Sequence, residues 1–238
     1  MNVLSPLDVF TDEFFQQLLD GTAERYGFHR IENPDTPTES PIEDELEHMI
    51  CKCTPDGSRV TRQFRVPTYR GTFRIDFGVQ MGNRIVGFEA DGRKYHDWRR
   101  DIFRDAVILG DSNVEAIYRI EGPDIYYRLE TALYILGRCR PNLFSARGVD
   151  IFEAMSECRG DDFYSEDTED GIYASYDYVD CDDNKHHRRI TLRCLSREHR
   201  DFQFMVDAAK RYRQVKTEDL SSFTLQELMQ RLRTMTSG

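Results

Sequence analysis

The sequence predicts an α/β protein whose elements follow in the order helix, strand, β-hairpin, helix, strand, helix. Two short β-type runs, 73–79 and 84–89, are separated by a Gly-Asn turn, the usual signal for an antiparallel hairpin. Residues 96–109 carry apolar side chains at helical spacing. An apolar strand over 114–120 and an aromatic-rich helix over 124–138 complete this part of the chain.

The residues before the hairpin predict a helix, a linker, a second helix and a strand. Residues 1–31 read as one helix, so we treat 1–37 as an N-terminal helix and linker. Ser40 to Glu43 is a strong helix start, because serine can cap, proline suits the first helical position and glutamate can complete a capping box. Residues 59–66 predict a strand that ends at Pro67.

The pattern weakens after residue 141, and we expect residues 142–238 to form a small α+β C-terminal module appended to a main domain over 38–141. We expect this module to contain helices, strands and a polar loop. The expected elements are helices over 151–158, 198–214 and 220–235, strands over 172–178 and 189–195, and a loop over 180–187.

Composition narrows the class of protein. A hydrophobic content of 39% fits a globular chain, and no apolar run reaches the roughly 18 residues that a membrane helix needs. The first residues lack the basic start and apolar stretch of a signal peptide, so we expect a cytoplasmic protein that has no contact with a membrane. The six cysteines lack the spacing of a zinc site, and we expect free thiols.

Charge is distributed unevenly along the chain. The formal net charge of −11 argues against non-specific coating of nucleic acid, which needs positive potential. Thirteen acidic residues and one basic residue lie between Asp150 and Asp183. This run is either a solvated loop or a segment that covers a basic cleft or docks a protein partner. Basic residues instead crowd the hairpin, namely Arg59, Arg62, Arg65, Arg70, Arg74, Arg84, Arg93, Lys94, Arg99, Arg100 and Arg104.

The hairpin also carries two carboxylates in apolar surroundings. Asp76 lies in the first strand and Glu89 near the end of the second. Burying a carboxylate is costly unless its charge is compensated, and two on facing strands repel each other. A divalent cation is the usual remedy because hard cations prefer oxygen ligands. The hairpin therefore predicts a Mg²⁺ site.

An ordered set of residues around this hairpin resembles the PD-(D/E)xK nuclease superfamily, and within it the very-short-patch-repair-like endonuclease domains of the DUF559 type. The resemblance covers about residues 39–140 and rests on Asp76, Glu89-x-Asp91-Gly92, Tyr95-His96, Asp101, Arg104-Asp105, Leu109, Tyr118-Arg119-Ile120-x-Gly122 and Ile125-Tyr126. It implies a restriction-endonuclease-like core, a mixed sheet flanked by helices. It also implies a metal-dependent endonuclease that uses Mg²⁺, for which Mn²⁺ can substitute.

The resemblance further implies a set of metal ligands. They are Asp76, Glu89 and the carbonyl of Ala90, with Glu43 brought toward the metal by its helix. For Glu43 the alternative is that it only caps that helix.

The sequence offers more than one candidate for the proton-transferring group, because Asp91 replaces the lysine of the superfamily's commonest motif. Asp91 either joins the catalytic set or holds the turn at Gly92. His96 is the first candidate for acid–base work, since its ordinary pKa is near 6.5, and Lys94 is the second. The alternative for His96 is a structural role at a helix start.

Several side chains near the hairpin are candidates for contact with nucleic acid. Phosphate contacts are expected from Arg74, Arg93, Arg99, Arg100 and Arg104.

Arg119 either holds phosphate or pairs with Asp105. For Asp101 and Asp105 we expect ion pairs within their own helix, with Arg99, Arg100 or Arg104, and no metal. Tyr126 and Tyr127 could stack on unpaired bases, but core packing is the commoner fate of aromatic residues and is our expectation for Tyr127 and Trp98.

The sequence thus predicts a Mg²⁺-dependent DNA endonuclease, with a place in repair or anti-phage defence implied by the resemblance alone. RNA remains an alternative substrate because the hairpin chemistry is indifferent to the sugar. The competing class is a nuclease fold without catalysis that serves as a DNA-docking or assembly subunit. The C-terminal module is the expected surface for a protein partner.

Overall fold

The computed structural model describes residues 30–33, 35–92, 98–158, 160, 162–168, 171–180, 182–198, 202–203 and 206–207. The helices are α1 (Pro41–Cys53), α2 (Trp98–Asp111), α3 (Gly122–Cys139) and α4 (Ala146–Met155). The strands are β1 (Arg30–Glu32), β2 (Arg59–Thr68), β3 (Gly71–Met81), β4 (Arg84–Asp91), β5 (Val114–Glu121), β6 (Phe163–Thr168), β7 (Gly171–Val179) and β8 (Lys185–Ser196). No helix of this described part is long and apolar enough to span a membrane.

The strands form one mixed sheet in the order β1-β2-β3-β4-β5-β8-β7-β6. Strands β2, β3 and β4 are an antiparallel meander, and β5 lies parallel to β4. The crossover from β4 to β5 includes α2, as a parallel connection requires. The predicted mixed α/β architecture, with helices flanking a central sheet, is therefore confirmed.

The chain beyond residue 141 continues this sheet. Strand β8 pairs antiparallel with β5 from Ala116–Ser196 to Ile120–Leu192, and β7 and β6 follow at the sheet edge. Ile172 and Leu192 are buried in the same core as Phe88 of the hairpin. Within the described residues, the predicted C-terminal strands thus extend the central sheet instead of forming a second one.

Most predicted elements of the main part are present, with shifts at their ends. The predicted helix over 1–31 is wrong at its last two residues, because Arg30–Glu32 is a strand parallel to β2, and residues 1–29 lie outside the described residues. Strand β2 passes through Pro67, which is exposed and lies near the turn between β2 and β3. The missing backbone N–H of proline costs little there. Strand β6 was not predicted, since its sequence reads as part of the acidic run.

The loop before β8 is shorter than predicted. It ends at Asn184, and Lys185 to His187 already pair with β7. Predicted helix 151–158 lies earlier, at Ala146–Met155, where the side chain of Ser145 caps it. Residues 202–203 and 206–207 are helical, as predicted for 198–214, whereas predicted helix 220–235 lies outside the described residues.

Each face of the sheet is covered by helices. On one face, residues of α1, α3 and α4 pack with Phe77, Phe88 and Tyr118. On the other face, α2 packs with Ile75 and Ile117. Strands β3 and β4 lie between these two helical layers and carry the candidates Asp76, Glu89 and Asp91.

Candidate functional site

Asp76 and Glu89 lie side by side where β3 and β4 stop pairing. The regular register of these strands ends at the pair Phe77–Phe88. Asp76 and Glu89 are the next residues beyond that pair, one on each strand. Asp76 Oδ2 accepts a hydrogen bond of 2.9 Å from the backbone amide of Ala90. Glu89 is 5% exposed. The facing strands of the hairpin thus hold two shielded carboxylates next to each other, as the sequence predicts.

Both carboxyl groups are held in their neutral form more readily than usual. Burial raises the pKa of Asp76 to about 6, and repulsion from Glu43 adds to the rise while the Ala90 amide opposes it. The pKa of Glu89 is raised to about 8, mainly by burial and to a smaller extent by repulsion from Asp76. Strongly raised carboxyl pKa values of this kind are concentrated at functional sites, where a bound positive charge would reverse them.

Arg104 partly compensates Glu89. Its Nη2 atom, on α2, donates to Glu89 Oε1 at 2.5 Å and also donates to the carbonyl of Arg74. Burial and Asp76 outweigh the attraction of this guanidinium, since the pKa of Glu89 stays raised. Arg104 therefore lies directly at the carboxylate pair.

Asp91 belongs to a buried network of ion pairs next to the pair. Its Oδ1 lies 2.9 Å from Arg119 Nη1 and its Oδ2 lies 3.1 Å from Arg193 Nη2. Arg119 also donates from Nε and Nη2 to the two oxygens of Asp105, both at 2.8 Å. Arg119 is therefore the structural partner of Asp105, one of the two predicted alternatives, and the expectation that Asp105 pairs mainly within its own helix is wrong. Asp101 Oδ2 lies 4.0 Å from the same guanidinium.

Glu43 has a capping role and also faces the carboxylates. Its Oε1 accepts a hydrogen bond from Ser40 Oγ, and its Oε2 accepts one from the amide of Glu39, both at 3.0 Å. Its charge is close enough to Asp76 to raise the pKa of that group. The predicted capping interaction is present, and it holds Glu43 beside the candidate metal ligands.

Sequence reasoning missed Gln63, which lies against Glu43. Its Nε2 donates to Glu43 Oε2 at 3.2 Å, and its buried Oε1 has no hydrogen-bond partner among the residues that the structure describes. A glutamine in a strand carries no pattern that would mark it, so only the fold brings it to the site.

The donor atoms at this place fit a hard divalent cation. Carboxylate oxygens of Asp76 and Glu89, the carbonyl of Ala90 and the orphaned amide oxygen of Gln63 are all oxygen ligands of the type that Mg²⁺ takes. Within the described part of the chain, no three His, Cys, Asp or Glu side chains form a group that could hold a metal. A cation here would therefore rely on two carboxylates together with carbonyl, amide and water oxygens.

Much of the positive charge predicted near the hairpin is already paired. Arg74 forms an exposed ion pair of 2.7 Å with Glu39. Arg59 with Glu32 and Arg84 with Glu115 form further exposed pairs, and Arg62 forms a largely buried pair with Glu47. The expected basic face is therefore weaker than the count of arginines indicates. Arg93, Lys94 and His96, and the side chains of Arg99 and Arg100, lie outside the described residues.

Two tyrosines stand at the start of α3. Tyr126 and Tyr127 are 70% and 75% exposed, and their rings meet edge to face at 4.7 Å. Core packing of Tyr127 was therefore a wrong expectation. The start of α3 is close to the site, because a Cβ atom added to Gly122 would lie 3.4 Å from the carbonyl of Asp91. The side chain of Trp98 lies outside the described residues.

Strand β6, which belongs to the acidic run of the sequence, lies far from this site. In the sheet order, β5, β8 and β7 separate β6 from β4, so about 19 Å lies between β4 and β6 at the usual strand spacing. A separate acidic pocket lies near β7 and β8, lined by Glu157, Asp162, Asp177 and Lys185 among others. The described acidic residues of β6 therefore do not cover the hairpin.

Comparison with protein-family models, with curated proteins and with solved structures finds no match for this chain. The case for a function therefore depends on the residues of the site and their chemistry.

Proposed function

We propose that this protein is a Mg²⁺-dependent endonuclease with a restriction-endonuclease-like core that hydrolyses phosphodiester bonds in DNA. The observation that carries the proposal is the pair of shielded carboxylates, Asp76 and Glu89, of which Asp76 accepts a hydrogen bond from the Ala90 amide, with the pKa of each raised by burial. A dry pair of like charges is unfavourable by itself and becomes favourable when a cation binds. The ordered motif that resembles the PD-(D/E)xK nucleases contains the same residues.

The chain's own groups have separable roles in this proposal. Asp76, Glu89 and the Ala90 carbonyl hold the cation, and Glu43 adds negative charge beside them. The cation, when bound, supplies an activated water and neutralises charge on the phosphate. Arg104 contacts Glu89 and is placed to hold a phosphate oxygen as well.

Asp91 has a positioning role in the same proposal. Arg119 and Arg193 balance its charge and thereby fix the end of β4. Proton transfer is then assigned to His96 or Lys94, which follow this strand directly in sequence.

The substrate side of the proposal rests on exposed groups around the carboxylates. The pair between Arg74 and Glu39 is solvent-exposed, and such pairs contribute little free energy, so a phosphate can compete for the guanidinium. Arg93, Arg99, Arg100 and Arg104 are proposed as further phosphate contacts. DNA is our preferred substrate and RNA the alternative.

The wider setting is also part of the proposal. A cytoplasmic location and a role in repair or anti-phage defence follow from the sequence and the resemblance. The acidic residues of 142–238 are proposed as the surface for a protein partner.

A second candidate is a DNA-docking or assembly subunit without catalysis. It is favoured by the ion pair between Arg104 and Glu89, because a guanidinium at 2.5 Å can balance the carboxylate without any metal. In that case the carboxylates would serve only the packing of α2 on the sheet.

Cleavage assays separate the two candidates. Plasmid and single-stranded DNA are incubated with the protein in Mg²⁺, Mn²⁺ or EDTA, and Asp76→Ala and Glu89→Ala are compared with wild type. An endonuclease nicks DNA only with the metal, and both substitutions abolish nicking. Intact DNA with every metal, together with retained DNA binding, would favour the docking subunit. Glu115→Ala is the matched control, since its carboxylate pairs with Arg84 at the surface.

A further inference from the structure

Gln63 has an unusual backbone conformation for a residue inside a strand. Its φ angle is +49°, in the left-handed region that costs free energy for any residue with a Cβ atom. The neighbouring pairs Arg62–Phe77 and Phe64–Ile75 place it at the level of Asp76 across β3. Glycine or asparagine would adopt this conformation more easily.

At Gln63, the side chains of β2 switch from one face of the sheet to the other. Alternate residues of a regular strand share one face, so Val60 and Val66 should point the same way. Val60 instead belongs to the core under α1, and Val66 to the core under α2. The strand therefore turns over at Gln63, beside the carboxylates.

The side chain of Gln63 is also held at a cost. It is 9% exposed, its Nε2 donates to Glu43 Oε2, and its Oε1 is buried without a partner. A buried acceptor without a donor is unfavourable, and a strained backbone at the same residue adds to the penalty. Two such costs at one residue are typical of a functional position.

We propose that Gln63 is part of the cation site. Its amide NH₂ group orients Glu43, and its Oε1 atom gives an oxygen to the cation, directly or through a bound water. The inference rests on the proposed function, and an amide oxygen is a ligand type that hard divalent cations accept.

The competing account is that Gln63 only shapes the strand. If so, Gln63→Asn should bind Mn²⁺ like wild type, and it should be neutral or stabilising because asparagine tolerates the left-handed region better than glutamine does. Its side chain is one methylene shorter and would not bring the amide to the same place. The same substitution therefore separates the two accounts.

The test is the affinity for Mn²⁺, measured by electron paramagnetic resonance at pH 7.5 on wild type, Gln63→Asn and Gln63→Gly. We expect both variants to bind Mn²⁺ at least tenfold more weakly while melting in EDTA at or above the wild-type temperature. Gln80→Asn is the control, since Gln80 is exposed on β3 and its side-chain amide donates to the carbonyl of Gly82, and it should bind like wild type.

Binding within twofold of wild type by the two Gln63 variants would overturn the role of this residue and leave the proposed function intact. If wild type has no Mn²⁺ site, or has one that Asp76→Ala does not remove, the proposed function is overturned and this inference with it.

Discussion

Arg104 Nη2 and Glu89 Oε1 lie 2.5 Å apart, joining α2 to a buried carboxylate of the hairpin. The guanidinium occupies a place at which a divalent cation would also be attracted, so the two positive charges compete for one carboxylate. Under the proposed function, charge balance at the site is therefore the property that would link stability to cation binding.

Replacing Arg104 by methionine should make the protein more dependent on the cation. Without the guanidinium, Glu89 loses a partner and the melting temperature in EDTA should fall, while the stabilisation by added Mg²⁺ should grow. Thermal unfolding with and without Mg²⁺ measures both effects. Arg84→Met, which breaks an exposed pair, should change neither. Equal Mg²⁺ stabilisation in wild type and Arg104→Met would contradict the competition.

The raised carboxyl pKa values predict an unusual dependence of stability on pH. In EDTA, the folded protein binds protons more tightly than the unfolded chain at Asp76 and Glu89. The stabilisation of the folded state by this proton binding is therefore complete at low pH. It is lost as the pH rises from about 4 to about 8. Asp76→Asn removes one ionising group and should be more stable than wild type at pH 8 by on the order of 3 kcal/mol, by the shift of that pKa.

Urea unfolding at pH 5 and pH 8 tests this sign. The advantage of Asp76→Asn over wild type should be about half as large at pH 5 as at pH 8, and saturating Mg²⁺ should reduce it at pH 8. An advantage that grows toward low pH would show that Asp76 is stabilised as an anion and would rule out the raised pKa.

The buried network around Arg119 should dominate local stability. Arg119→Met would leave Asp91 and Asp105 buried without their main partner, and such losses cost about 3–5 kcal/mol. Urea unfolding of this variant should show a loss of that size. Arg59→Met breaks an exposed pair and should cost about 1 kcal/mol or less. A small loss for Arg119→Met would mean that water reaches these carboxylates.

The hairpin, the helix start at Ser40 and the carboxylates Asp76 and Glu89 could be predicted because each has a local signal. Turn residues, alternation and a capping box are all read within a few positions. Partners distant in sequence could not be predicted in this way. Arg193 reaches Asp91 only because β8 pairs with β5, which no local pattern indicates.

Gln63 and the tyrosines show the same limit. The turnover of β2 at Gln63 depends on how its two ends pack on different helices. Tyr127 lies in an apolar helix and yet is exposed, because α3 is kinked at Arg128, whose φ and ψ of −160° and 42° are not helical. Helical periodicity fails across such a kink.

The exposed tyrosine pair should contribute to binding of unpaired nucleotides. Double substitution of Tyr126 and Tyr127 by alanine should weaken binding of a single-stranded oligonucleotide by tenfold or more, since stacking contributes about 1–3 kcal/mol per base. Fluorescence anisotropy measures the affinity. Tyr164→Ala is the control, because Tyr164 is 69% exposed on β6 at the far edge of the sheet. Equal losses in the control and the double variant would contradict a specific role for the pair.

The most direct test of the cation site is the anomalous difference map of a crystal soaked in Mn²⁺ near pH 8, where the carboxylates ionise. The account predicts one strong peak bounded by Asp76, Glu89 and the Ala90 carbonyl, with Arg104 moved away from Glu89. A map without that peak, or with Mn²⁺ only in the acidic pocket at Glu157 and Asp177, would contradict it.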